Sequence, residues 1–407
     1  MSEKSYIDNS IKQELAADGN NSGVEEEIHE PYPFDAEKIS ISNRKISLSN
    51  VLKRWERNLI HAADMQRRED LWDIGKKSRL IESLMLKIPL PLFYAAENRN
   101  DNLFIVDGLQ RLSAIKGYVL EKKYKLSSLE FLGELKDKSF DEIPDRMQMR
   151  INETELDFAI IGPDSPPAVQ RNIFKRLNTG GLPLTEQEIR HALYFGPITE
   201  FLAKLVNTNE FQIAVDYKVN DSRMAAQELI LRFLSFSIMN VSEYKRDDEM
   251  DSFLSDAMQI LNKLIKPDFY SKNIMLLSND RNCSNIDIRE LEQNFFTAMT
   301  RAVDLFENCA FRITTPMKRN KGATRTPINK SLFESWSVLL SKMNEKDYEK
   351  LKRNKELLYQ KLDDEFYNNK ASSLRDYISK DSLKISGIKG RYEALGKIID
   401  VVLKEGK

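Results

Sequence analysis

Leu92-Phe93-Tyr94-Ala95, a polar turn over residues 97–102, then Leu103-Phe104-Ile105-Val106-Asp107-Gly108-Leu109-Gln110-Arg111-Leu112: this stretch decides the fold. Two short apolar runs divided by turn residues predict a pair of strands. Asp107-Gly108 breaks the pattern, and Leu112, Ile115 and Val119 resume at helical spacing. The chain therefore passes from strand through a tight turn into a helix at Asp107.

The neighbouring segments extend this pattern. Upstream, Leu80, Ile81, Leu84, Met85 and Ile88 give one apolar face to a helix that starts near Lys76 and is ended by Pro89 and Pro91. Before it, Ser49 reads as the N-cap of a helix through Val51, Leu52, Trp55 and Leu59. Downstream, residues 156–162 predict a strand, and Pro166 and Pro167 open a helix that runs to about Asn178. The loop Thr179-Gly180-Gly181 follows. Thr185 with Glu188 three residues on is a capping-box pattern, which starts a helix through Ile189, Ala192 and Leu193. From Pro197 helical periodicity dominates, as in Leu229, Phe233 and Phe236 or Phe253, Met258 and Leu261. The expected class is α+β: a mixed α/β domain over residues 39–195, then an all-helical domain over 196–407. Residues 1–38 form an acidic tail, expected to be disordered because few large apolar side chains offset its ordering entropy.

Composition removes several function classes. Lys+Arg is 62 and Asp+Glu 63 in 407 residues, so the formal net charge is −1 and a globally basic DNA-coating protein is excluded. Cys283 and Cys309 are the two cysteines, too few for a disulfide framework or a four-thiolate zinc site, and this usage suits a reducing cytoplasm. Three histidines, His29, His61 and His191, leave a His-Asn-His nuclease short of ligands. No Gly-x-x-x-x-Gly-Lys-Ser/Thr phosphate loop and no Gly-x-Ser-x-Gly elbow occurs. No apolar run approaches the roughly 18 residues of a membrane span, and the first residues lack a signal pattern; a soluble cytoplasmic protein is expected.

Three segments carry the chemistry. Asp107-Gly108-Leu109-Gln110-Arg111 lies where a strand meets a helix, and free N–H groups with the positive end of the helix dipole favour an anion there. Gly108 permits close backbone approach, Arg111 suits a bidentate phosphate contact, and Asp107 suits a metal-bound water or the orientation of Arg111. Met65-Gln66-Arg67-Arg68 and the run Phe174-Lys175-Arg176-Leu177-Asn178-Thr179-Gly180-Gly181 add Gln, Arg and Asn without an obvious nucleophile. That inventory holds phosphates. A basic segment over residues 312–330 contains Lys318, Arg319, Lys321 and Arg325 and no acidic residue; it reads as a mobile loop able to meet DNA phosphates.

The order Gln66-Arg67, Trp72, Leu80-Ile81-Glu82-Ser83, Ile88-Pro89 and Val106-Asp107-Gly108-Leu109-Gln110-Arg111-Leu112 resembles the N-terminal domain of GmrSD-type modification-dependent restriction proteins, the DGQQR family with a ParB/sulfiredoxin-like fold. Leu109 stands where that motif has its first Gln. The strings Asn220-Asp221-Ser222-Arg223, Gln227-Glu228, Leu231-Arg232-Phe233 and Asn329-Lys330-Ser331-Leu332-Phe333-Glu334 resemble the family's helical part. The resemblance implies a nucleoside triphosphate bound with Mg²⁺ and hydrolysed in a DNA-directed restriction or anti-phage defence system. On it, Asp107, Gln110 and Arg111 are catalytic. Gln66, Arg67, Gly108, Arg176, Asn178, Thr179 and Gly180 bind the nucleotide, with Asn178 also toward the metal. The alternatives are a non-catalytic nucleotide or modified-DNA sensor that recruits a separate nuclease, and a nuclease built on the ParB-like domain itself.

Overall fold

The structure, a computed structural model, describes residues 24, 40–62, 72–97, 101–162, 165, 170, 173, 185–239, 241, 244, 250–265, 287–368 and 373–406. The acidic tail apart from Val24, the Gln66-Arg67 segment, most of the helix expected after Pro166, the glycine loop and Cys283 lie outside them. Two compact units are present: one within Pro31–Leu193, the other comprising Tyr194–Lys407 together with Val24. The mixed α/β part followed by helices agrees with the expected class.

The first unit holds a five-stranded mixed sheet: β1 (Ile41–Ser47), β2 (Ile60–Ala62), β3 (Phe93–Glu97), β4 (Leu103–Asp107) and β5 (Glu155–Ile161), in the order β1-β5-β3-β4-β2. The predicted strand pair is the β3–β4 hairpin, with Ala95 opposite Ile105 and Glu97 opposite Leu103. β5 runs parallel to β3, with Phe93 opposite Phe158. These central strands read as near-continuous apolar runs because α1 (Leu48–Glu56), α2 (Ile74–Met85) and α3 (Leu109–Val119) supply Leu52, Trp55, Ile81, Leu84, Leu112 and Ile115 to the same core. α4 (Asp145–Glu153) and α5 (Glu186–Leu193) complete the unit.

Two local expectations change, and one strand is added. α1 starts directly from β1, so its N-cap is Ser47 rather than Ser49. α2 ends at Met85, and Lys87 turns the chain at φ 59°, which leaves Ile88 exposed instead of on the apolar face. β1 is a polar edge strand whose Arg44 makes a two-point ion pair at 2.7 Å with Glu97 of β3, a strand that is not its neighbour. The capping box at Thr185 is present: its N–H donates to Glu188 Oε2 at 2.6 Å, and Thr185 Oγ1 accepts from Glu188 N–H at 3.1 Å.

α2 also grips the segment that follows α3. Ser78 Oγ accepts from Ser127 N–H at 2.9 Å, and Glu82, four residues on, accepts from the N–H groups of Glu130, Phe131 and Leu132 at 2.9, 2.7 and 2.8 Å. Burial opposes ionisation of Glu82, but the three N–H donors outweigh it and hold the carboxyl below its ordinary value. A depressed folded pKa contributes stability above the unfolded-state pKa, and that contribution is lost as pH falls through the folded one. Glu82→Gln is expected to cost about 1–2 kcal/mol at neutral pH, since an amide oxygen accepts more weakly than a carboxylate. It should also shrink the acid limb of stability; urea melts at pH 7 and pH 3 measure both, and equal acid limbs in the two proteins would refute the assignment.

The second unit is helical: α6 (Pro197–Val206), α7 (Asn209–Ala214), α8 (Ala225–Ile238), α9 (Met250–Leu264), α10 (Ile288–Phe306), α11 (Pro316–Asn320), α12 (Lys330–Lys342), α13 (Glu345–Arg353), α14 (Lys355–Asp363), α15 (Ser373–Ile378) and α16 (Ile385–Glu405). Among the described residues its strand pairing is a single bridge between Val24 and Ile328. Phe211, Phe233, Phe295 and Phe333 form a connected aromatic centre, with Phe233 and Phe295 centroids 5.3 Å apart. Beside it runs a buried chain of ion pairs. Lys330 Nζ lies 3.0 Å from both oxygens of Glu228, Arg232 Nη2 3.1 Å from Glu228 Oε1, and Arg232 Nη1 3.4 Å from Glu334 Oε2. Arg391 closes it through Nε at 2.9 Å from Glu334 Oε1, and its Nη1 donates to Ser382 O at 2.6 Å. Arg232, Glu334 and Arg391 are fully buried. The chain of pairs joins α8, α12 and α16, so the helical strings singled out in the sequence hold these helices together. Asp221 and Asn329 from the same strings cap α8 and α12.

Candidate functional site

The turn from β4 into α3 is built around Gly108. Its φ is 97°, in the left-handed region that costs a side chain strain. A Cβ there would also collide with the Phe93 ring. The β3–β4 register shifts between Tyr94 and Ala95, so Tyr94 pairs with Asp107 and the ladder bulges where the turn begins. Gly108, at the N-cap position, has no side chain with which to cap α3, and the first bond of the helix is Leu112 N–H to Gly108 O at 3.0 Å. The N–H groups before Leu112 precede the helix's own ladder, at the positive end of its dipole.

Arg111 projects back over the sheet. Nη1 donates to Pro91 O, and Nη2 donates to Leu92 O and Asp107 Oδ2, each at 3.1 Å. The guanidinium carbon sits 4.2 Å from the centroid of Phe93, which in turn stacks on Phe158 at 5.2 Å. The side chain is 12% exposed, whereas that of Asp107 is 43% exposed and meets Arg111 through one carboxylate oxygen. Burial lowers the Arg111 pKa from its ordinary value, and the Asp107 charge and hydrogen bond oppose that shift. Phe93 and the Pro91 and Leu92 carbonyls were not picked out by sequence reading; the local signal was the pair of prolines, Pro89 and Pro91, which hold that lead-in extended.

Asp107, Gly108, Gln110 and Arg111 thus share one turn of the first unit. Gln66, Arg67, Arg176, Asn178, Thr179 and Gly180 lie outside the described residues. His61 stacks on Phe104 at 5.1 Å, and burial lowers its pKa. Among the described residues no group of three or more His, Cys, Asp or Glu is placed to hold a metal ion, and no helix is long and apolar enough to cross a membrane.

In the second unit the basic segment is tied to its surroundings by side-chain hydrogen bonds and an ion pair. Thr315 caps the short helix α11, and Thr326 Oγ1 accepts from Ile313 N–H at 3.1 Å while its N–H donates to Thr314 Oγ1 at 3.1 Å. Hydroxyl pairing joins the two arms of the loop, while Phe311, Ile313, Met317 and Ile328 pack on the core of the unit. Arg325 pairs with Asp216 at 2.6 Å, and Lys318 lies 4.6 Å over the Tyr367 ring. Arg319 and Lys321 are exposed.

Residues 48–195 match the family model described as the GmrSD restriction endonuclease N-terminal domain. No curated protein and no solved structure matches the chain. The matched span runs from the first residue of α1 past the end of α5 and contains the Asp107–Arg111 turn, so this part of the chain is a GmrSD-type N-terminal domain.

Proposed function

We propose that the chain binds a nucleoside triphosphate with Mg²⁺, hydrolyses it, and acts on DNA in a restriction or anti-phage defence system alongside a separate nuclease or defence subunit. The observation that carries the reading is the left-handed Gly108 turn, which opens the N-terminus of α3, with glycine at its N-cap, beside Asp107 in a domain of a restriction family. Phosphates would rest on the first-turn N–H groups and Gln110. The resemblance assigns the remaining nucleotide contacts to Gln66, Arg67, Arg176, Asn178, Thr179 and Gly180. Mg²⁺ commonly takes one or two protein ligands and leaves the rest to water and phosphate, so the half-exposed Asp107 carboxylate suits such an ion, and the resemblance adds Asn178 as a further ligand. Bound there, the ion would neutralise phosphate charge.

A second reading draws on the Arg111 geometry: with its guanidinium held by protein groups, the chain would bind nucleotide as a non-catalytic sensor and recruit a nuclease. Phosphate release from a panel of NTPs, with and without DNA, separates the two. Release that depends on Asp107 supports hydrolysis; binding without release supports the sensor.

DNA contact falls to the exposed cations of the basic segment. Arg319→Ala with Lys321→Ala is expected to weaken DNA binding and flatten log K against log salt by about 0.9 for each phosphate no longer neutralised. Arg325→Ala should instead lower thermal stability, because it breaks the Asp216 pair. An unchanged salt slope in the double variant would remove this segment from DNA recognition.

A further inference from the structure

We infer that Arg111 is a positioning residue: it locks the Asp107–Gly108 turn against the lead-in of β3 and presents the Asp107 carboxylate, while the nucleotide is touched by other groups. The inference rests on the nucleotide-binding reading above and changes the role that the family motif gives to its arginine. A guanidinium has five N–H donors. Three of them are directed at Pro91 O, Leu92 O and Asp107 Oδ2. One face of the group is covered by Phe93, and only 12% of the side chain is exposed. A bidentate phosphate grip needs two parallel N–H groups on one open edge. Here the Nη2 group is consumed by Leu92 and Asp107, so forming such a grip would mean breaking the bonds that hold the turn.

The same bonds explain what the arginine does. Pro91 and Leu92 precede β3, Asp107 ends β4, and Arg111 stands in the first turn of α3, so one side chain ties three consecutive elements together. Phe93 and the guanidinium both lie against Gly108, which makes the stack and the left-handed turn mutually dependent. With Oδ2 of Asp107 held by Arg111, the carboxylate is fixed in place while 43% of the side chain stays exposed. Asp107 and the first-turn N–H groups are then the ligand-facing part, and Arg111 sets their geometry.

The test compares Arg111→Gln, Phe93→Leu and the double variant by two readouts. Amide exchange at Leu112 and its neighbours, without nucleotide, reports opening of the turn. Calorimetric affinity for a non-hydrolysable NTP analogue with Mg²⁺, well below the melting range, reports ligand binding. Both single variants are expected to speed exchange at the turn and to weaken affinity about ten-fold. The double variant should be no weaker than the worse single one, because both changes act through one stack. Wild-type exchange in Arg111→Gln, with a loss of affinity that adds to that of Phe93→Leu, would make Arg111 a phosphate ligand and overturn the inference. Faster exchange with unchanged affinity would make it merely structural and overturn it as well. A wild-type chain that binds no nucleotide overturns the functional reading instead, and the exchange data then still decide whether Arg111 holds the turn.

Discussion

Glu334→Ala is expected to destabilise the helical unit by about 3–5 kcal/mol, because it leaves Arg391 and one arm of Arg232 as uncompensated buried charges. In a unit of this size that corresponds to a fall in Tm on the order of 10 °C. Circular dichroism melts of the full chain would show it as a shift of the helical transition. The loss comes from stranding charges, so the combination Glu334→Leu with Arg391→Met should be milder than Glu334→Ala alone. A double variant that melts lower than the single one would mean that packing around α8, α12 and α16, rather than charge, carries the effect.

Gly108→Ala is expected to cost about 2–5 kcal/mol in the α/β unit and, on the function proposed above, to abolish nucleotide binding. Two separate penalties combine: a side chain at φ 97°, and a Cβ driven into the Phe93 ring. Gly322 supplies the control. Its φ of 89° is similar, but nothing lies near its absent side chain, so Gly322→Ala should show the strain alone, about 1 kcal/mol. Chemical denaturation of the two variants measures the difference. Equal losses would mean that the Phe93 ring swings aside at no cost.

Elements whose identity is written into contiguous residues were legible. The β3–β4 hairpin, the turn at Asp107, the apolar face of α2 and the Thr185–Glu188 box all follow from spacing over a few residues. β1 was not, because Ile41-Ser42-Asn43-Arg44-Lys45-Ile46-Ser47 is an exposed edge that shows no alternation of apolar and polar residues. It is a strand because β5 recruits it. β2 is three residues long, too short for a periodic signal. The site divides in the same way. Gly108 announces itself through glycine's chemistry, whereas the commitment of Arg111 depends on Phe93 and two carbonyls about twenty residues earlier. In the basic segment the charges were visible in sequence, but the hydroxyl pairing of Thr314 with Thr326 was not, because threonine at such spacing has many other uses.

The register of β1 on β5 sets an order of events during synthesis. Ile41 pairs with Ile161 and Ser47 with Glu155, so about a hundred residues must be made before β1 finds its partner. At about 5–20 residues per second the ribosome needs roughly 5–20 s for that span. Through that interval the β1 segment waits unpaired, and an apolar strand in that position would be open to adhesion to other nascent chains. A segment carrying Arg44 and Lys45 in a mostly polar run can wait in water. The polarity that hides β1 from a hydrophobic pattern thus also suits it to emerge first and pair last.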